Sequence, residues 1–256
     1  MRQSDAAAAL DERQAAVAAT GVKALIPLAD RPFLDYLLTT LADAGCRRIC
    51  LVVGPEQDEI RDYYTRRVKP QRLSIEFAIQ AEARGTADAV AAAEGFAGDD
   101  PFLALNSDNF YPIEAYQALR AQPGASLVLF ERDALLAQSN IGADRVSKFA
   151  VGEIGQDGCL RRIIEKPDPA TLAGLPLPLW LSMNCWRFGP AIFPACRAIP
   201  PSPRGEYEIV AAVQYAIDVL GERFNAVCMR APVLDLTSRG DIAPVAARLA
   251  GVEIRL

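Results

Sequence analysis

The stretch Gln80–Tyr111, QAEARGTADAVAAAEGFAGDDPFLALNSDNFY, constrains the chain most, because it sets a glycine turn, an alanine-faced helix and a carboxylate at a strand end in one run. Glycine at position 85 permits torsions that a Cβ forbids and lets the main chain come close to a flat ligand, while Thr86 stands where it caps the next helix. Thr86–Ala97 is helix-forming with a small face, and Pro101–Leu105 reads as a short apolar strand running into Asn106-Ser107-Asp108-Asn109. Ligands of open α/β folds sit at the carboxyl ends of strands, so Asp108 stands where a carboxylate can hold a hard cation. Taken singly, these features more often make a plain helix cap and a plain turn.

A chain of 256 residues that is 51% hydrophobic can bury the core of one large α/β domain, and a single domain over 1–256 is expected. Its net charge of −5 offers no basic surface to a nucleic-acid backbone, which points to a small-molecule partner. The sequence has neither a long apolar run nor a signal-type N-terminus, so no membrane partner and a cytoplasmic location are expected. Histidine is absent, which removes Ser-His-Asp, Cys-His and His-metal chemistry and leaves carboxylates, lysine, arginine and a metal. The six cysteines form no Cys-x-x-Cys pair and read as buried free thiols. Only four of the 27 basic residues are lysines, at 23, 69, 148 and 166, which singles each of them out.

In chain order, Ser4–Thr20 is an alanine-rich helix candidate stopped by Gly21, and Pro32 opens a second helix that stops at Gly45. Arg48–Gly54 has the β-branched content of a buried parallel strand, followed by a helix over Glu56–Arg67 and a strand over Leu73–Ile79. A helix at Pro112–Ala121 and a strand at Ala125–Phe130 extend the alternation, which predicts a doubly wound, mostly parallel sheet. Lys148–Ile154 and Cys159–Ile164 form a hairpin through Gly155-Gln156-Asp157-Gly158 and deliver Glu165-Lys166-Pro167, where the two charges can simply pair in water. Trp180–Phe188 is a strand, Gly205–Ile209 opens a helix with Glu206 favourable to its dipole, Asp235 ends a strand, and Ser238 caps a last helix.

The order Gln80, Gly85-Thr86-Ala87, helix, strand, Asp108-Asn109 resembles the sugar-phosphate nucleotidyltransferases of the glucose-1-phosphate thymidylyltransferase and mannose-1-phosphate guanylyltransferase type. Lys23-Ala24-Leu25-Ile26-Pro27, Glu165-Lys166-Pro167, Gly205-Glu206-Tyr207-Glu208-Ile209 and Val233-Leu234-Asp235 fall in the same family order. The resemblance implies a Rossmann-like α/β nucleotidyltransferase fold with a small β-hairpin part for the sugar. It implies in-line attack of a sugar 1-phosphate on a nucleoside triphosphate, giving a nucleotide sugar and pyrophosphate, a reaction that depends on positioning and charge neutralisation more than on a base. By the same resemblance Mg²⁺ sits between Asp108 and Asp235, Lys23 contacts the reacting phosphates, and Lys166 contacts the sugar phosphate. Glu165 meets sugar hydroxyls, Asn184 lies near the sugar, and Gln80 reads the base beside Gly85 and Thr86, with a lean to UTP or dTTP over GTP.

Two departures stand out. Phe149-Ala150 replaces the family's Tyr-Gly, and nothing of the type L-A-A-G-x-G-T-R precedes Lys23. From the second comes the expectation that Met1-Arg2 is the tail of such a loop, that a central strand is missing, and that the chain as written is poorly stable and nearly inactive. A non-catalytic relative that binds nucleotide sugar as a sensor or partner subunit is the alternative, and homo-oligomerisation is left open. A metal-dependent glycosyltransferase comes third, since Ser107-Asp108-Asn109 lacks the usual Asp-x-Asp.

Overall fold

The computed structural model of the protein describes Gln14, Val17 and residues 23–256. The expected helix over Ser4–Thr20 lies outside the described residues except at Gln14 and Val17, which are helical, and so does the reading of Met1-Arg2. No helix among the described residues is long and apolar enough to cross a membrane.

A two-residue ladder of β1 (Pro27–Leu28) and β2 (Arg31–Pro32) leads into α1 (Phe33–Asp43), followed by β3 (Arg48–Val53), α2 (Asp58–Asp62) and β4 (Ser74–Ile79). Next come α3 (Thr86–Ala92), α4 (Glu94–Ala97), β5 (Phe102–Leu105), β6 (Asn109–Phe110), α5 (Ile113–Arg120) and β7 (Ser126–Glu131). The chain continues through α6 (Arg132–Gln138), α7 (Ala143–Val146), the hairpin β8 (Ala150–Ile154) and β9 (Leu160–Ile164), and α8 (Pro169–Gly174). It ends with β10 (Trp180–Phe188), α9 (Ile192–Ala198), α10 (Ile209–Asp218), β11 (Asn225–Met229), β12 (Leu234–Asp235) and α11 (Ile242–Leu249).

The main sheet has the order β11-β7-β10-β8-β9, with β5 also paired to β10. It is mixed, not mostly parallel as the alternation of elements suggests: β10 runs antiparallel to β5, β7 and β8, and only β11 with β7 and β3 with β4 pair in parallel. The reason lies in the hairpin: β9 runs back along β8, and the chain then passes through α8 and Leu175–Leu179 into β10 in that same reversed direction. Strands β3 and β4 form a separate parallel pair.

The period-two alternation of β7 feeds two cores. Val128 and Phe130 pack with Leu34, Leu38 and Leu119 from α1 and α5, while Leu127 and Leu129 pack with Phe193, Ile209 and Val213 from α9 and α10. All six residues of β7 are buried, and burying a large aliphatic or aromatic side chain contributes about 1.5–3 kcal/mol. A third cluster joins Ile26, Leu28 and Phe33 to Leu234, Leu236 and Ile242, fastening the start of the described chain to its C-terminal part.

Helix α1 begins one residue later than expected, at Phe33 behind Pro32, and ends at Asp43, capped by Ala44 before Gly45 in a left-handed conformation (φ 88°). Its apolar stripe carries one fully buried carboxylate. Asp35 accepts hydrogen bonds from Arg31 Nε (2.7 Å), Tyr63 Oη (2.9 Å) and Tyr64 Oη (2.8 Å), which satisfies its charge and fastens the Tyr63–Arg67 turn to α1. Burial, with Asp35 adjacent, pushes the Tyr64 hydroxyl far above its ordinary range. All six cysteines are free thiols, with Cys159, Cys185 and Cys196 buried and Cys228 exposed.

Candidate active site

Strands β6 and β12 bring the two candidate metal-holding carboxylates together. Asn109 pairs with Asp235 in an antiparallel ladder, and the Leu236 N–H donates to the Asp108 carbonyl at 2.8 Å. Lys23 Nζ lies 3.6 Å from Asp108 Oδ2, with both side chains partly exposed. Asp235 is buried: Thr237 Oγ1 donates to its Oδ1 at 2.6 Å, and Arg145 Nη2 pairs with its Oδ2. The other guanidinium nitrogen of Arg145 reaches Asp241 Oδ1 at 2.6 Å. Asn140 clamps the same spot, accepting from the Asp235 N–H (2.9 Å) and donating to the Asp235 carbonyl (2.8 Å) and Asp241 (3.1 Å). Burial raises the Asp235 carboxyl above its ordinary value; Thr237 and Arg145 work against that shift, and the charge of Asp108 adds to it.

Among the described residues no group of three or more His, Cys, Asp or Glu could hold a metal ion. A two-carboxylate arrangement suits Mg²⁺, which keeps several waters and is commonly bound by one or two carboxylates together with substrate phosphates. Each carboxylate already carries a cation of this chain, Lys23 or Arg145. Two carboxylates that hold cations of this chain have the chemistry for Mg²⁺, with Asp108 the more accessible and Asp235 reached only where Arg145 and Thr237 yield.

Gln80, Gly85 and Thr86 form a second group. Gln80 Nε2 donates to the Gly85 carbonyl (3.0 Å) and to Asp88 Oδ2 (2.9 Å), so its amide N–H holds the turn. Gly85 has φ 109°, but the close approach it permits is to Tyr207, whose main-chain oxygen would lie 2.6 Å from a Cβ at position 85; no ligand is needed to account for the glycine. The expectation for Thr86 is corrected as well. Gly85 occupies the cap position of α3 and Thr86 is its first residue, with an Oγ1 that accepts from the Ile209 N–H at 2.8 Å. The motif thus couples the start of α3 to the start of α10.

That coupling leads to the third group. Lys166 Nζ pairs with Glu165 Oε1 at 3.1 Å, the bland pairing open to them from the sequence. Glu208 stands beside both: burial and the neighbouring Glu165 push its carboxyl up, against Arg204 and Lys166, which lower it. Glu206 and Glu208, the cap residue of α10, both pair with Arg204, and the Glu208 carboxyl also feels the charges of Glu165 and Lys166. Asn184 lies where β10 is irregular, since Ser182 pairs with Leu129 and Trp186 with Leu127. Lys166 (φ 44°) and Asn184 (φ 56°) both hold left-handed backbone conformations, and such strain in residues other than glycine collects at functional sites. Thr86, Asn106, Ser107 and Asn184 share the wall of one cavity of about 660 Å³, next to Asp108.

Residues 13–230 match the family model described as nucleotidyl transferase. The low-salt glycan biosynthesis nucleotidyltransferase of Haloferax volcanii is 29% identical over 212 residues, covering 78% of this chain and 54% of that protein. A glucose-1-phosphate thymidylyltransferase of Streptomyces antibioticus is 32% identical over 205 residues, covering 78% and 52%. The chain thus spans about half the length of these two relatives. In fold, the UDP-glucose pyrophosphorylase from Acinetobacter baumanii superposes with a TM-score of 0.72 at 17% identity, over 91% of this chain and 87% of that one. With the family model matched over most of its length, this chain belongs to the nucleotidyl transferase family.

Proposed function

We propose that the protein transfers a nucleotidyl group from a nucleoside triphosphate to a sugar 1-phosphate, releasing pyrophosphate and leaving a nucleotide sugar, with the cytoplasm as its setting. The observation that carries this is the meeting of Asp108 and Asp235 on paired strands, each with its own cation. Lys23 offers its ammonium to the triphosphate, and Lys166, held with Glu165, offers its own to the sugar phosphate. Mg²⁺, held by Asp108 and Asp235, would neutralise the phosphate charge during transfer. Gln80 keeps its amide oxygen for the base while its N–H groups fix the turn, and Asn184 faces the sugar. The thymidylyl- and UDP-glucose-type names of the similar proteins support a pyrimidine triphosphate. A binding-only role is the second reading, favoured by the neutralisation of Asp235 by Arg145.

Titration calorimetry with UDP-glucose and Mg²⁺ tests the metal assignment. Asp108→Asn keeps shape and loses charge, so it should weaken Mg²⁺-dependent binding by about 10- to 150-fold, the equivalent of one charge-assisted contact. Equal binding by both proteins, with or without Mg²⁺, would remove the carboxylates from the site.

A further inference from the structure

Strand β10 carries a bulge beside the candidate site. Ser182 pairs with Leu129 of β7 and Trp186 with Leu127, so four steps along β10 span two along β7. Bulges re-aim side chains and are over-represented next to active sites. Asn184 lies inside this one at φ 56°, a conformation that asparagine tolerates better than most residues. On the other side Cys185 pairs with Leu105 of β5, and that register carried one step further sets Asn184 opposite Asn106, two residues before Asp108.

Two hydrogen bonds fix how Asn184 faces the cavity. The fully buried Tyr111 hydroxyl donates to the Met183 carbonyl at 2.6 Å and holds the main chain at the bulge. Trp186 Nε1 donates to Asn184 Oδ1 at 3.2 Å. An indole N–H can only donate, so the Asn184 amide must turn its oxygen to Trp186 and its two N–H donors away. Among the described residues no acceptor meets those donors, and Asn184 stands half-buried on the wall of the cavity of about 660 Å³. Trp186 is itself fixed: it is buried, stacked on Phe188 with ring centroids 5.6 Å apart, and paired along its main chain with Ala104 and Leu127.

We propose that Trp186 is a positioning residue for substrate recognition, which locks the Asn184 amide so that it offers the sugar hydrogen-bond donors alone. The inference rests on the proposed reading of Asn184 as a sugar-facing residue and adds the polarity of that contact. A free asparagine amide can turn over and offer either its oxygen or its N–H groups, whereas one held by Trp186 cannot. The site therefore takes a ligand oxygen with a free lone pair, a sugar hydroxyl, and disfavours an ammonium in the same place, which has protons and no lone pair.

The test is a double-mutant cycle on the whole chain, read by titration calorimetry with UDP-glucose and Mg²⁺, using Trp186→Phe, Asn184→Ala and the two together. Trp186→Phe keeps an aromatic ring and loses the N–H, so it should weaken binding by about 3- to 10-fold where Asn184 is present and leave the affinity of the Asn184→Ala protein unchanged. An equal loss in both backgrounds, or no loss in either, would overturn the proposal, since Trp186 would then act through packing or not at all. The pairing itself is read without ligand: the chain has two tryptophans, and the indole N–H signal that Trp186→Phe removes should exchange at least about tenfold faster in Asn184→Ala. Unchanged exchange would overturn the proposal as well. Failure of the wild type to bind UDP-glucose would count against the proposed function instead, with the indole exchange still deciding the pairing.

Discussion

Burial of Asp235 works against its charge, and Arg145, Asn140 and Thr237 surround it with donors that only partly compensate. Its folded pKa lies above the ordinary 3.8, so the folded state binds that proton more tightly than the unfolded chain. The stability contributed by this group is full below the unfolded value and is lost as pH rises through the folded one. Asparagine mimics the protonated form, so Asp235→Asn should melt no lower than the wild type at about pH 7, with the gap closing near pH 3.5 or so. Thermal melts across that range check this; a wild type more stable than the variant at neutral pH would mean that the Arg145 pair outweighs burial. Lys23, Asp108 and Asp235 are legible in the sequence because each closes or opens a short apolar run. Arg145 and Asn140 are not, since they come from a four-residue helix and the turn before it, whose composition carries no signal, and meet Asp235 only through the fold.

At the level of elements, the junction between α3 and α10 is built on Gly85. Its φ of 109° disfavours any side chain, and a Cβ would meet the Tyr207 main chain at 2.6 Å from the oxygen and 2.7 Å from the nitrogen. Gly98 (φ 57°) is left-handed too but faces open space. Gly85→Ala should therefore cost clearly more than Gly98→Ala, roughly 1–3 kcal/mol for strain plus the displacement of the Tyr207 segment, measured by urea unfolding. Equal costs would leave backbone torsion as the whole effect and the junction without a steric requirement. The strand Trp180–Phe188 coincides with the sequence expectation at both ends, and the hairpin around Gly155–Gly158 is also as expected. Strand direction was not legible, because hydrophobic pattern fixes which face is buried and says nothing of how the chain returns.

For the whole molecule, the helices and the mixed sheet assemble three groups of polar residues: Lys23 with Asp108 and Asp235, the turn at Gln80–Thr86, and Glu165-Lys166 with Glu208. A phosphoryl-transfer site needs such placement of charge and little else, which agrees with a chain that has no histidine. The most direct measurement is pyrophosphate release from UTP or dTTP with glucose 1-phosphate and Mg²⁺. The expected result is release that requires both substrates and disappears in Asp108→Asn. Absence of release for a protein that still binds UDP-glucose, or release that ignores the sugar phosphate, would contradict nucleotidyl transfer as its function.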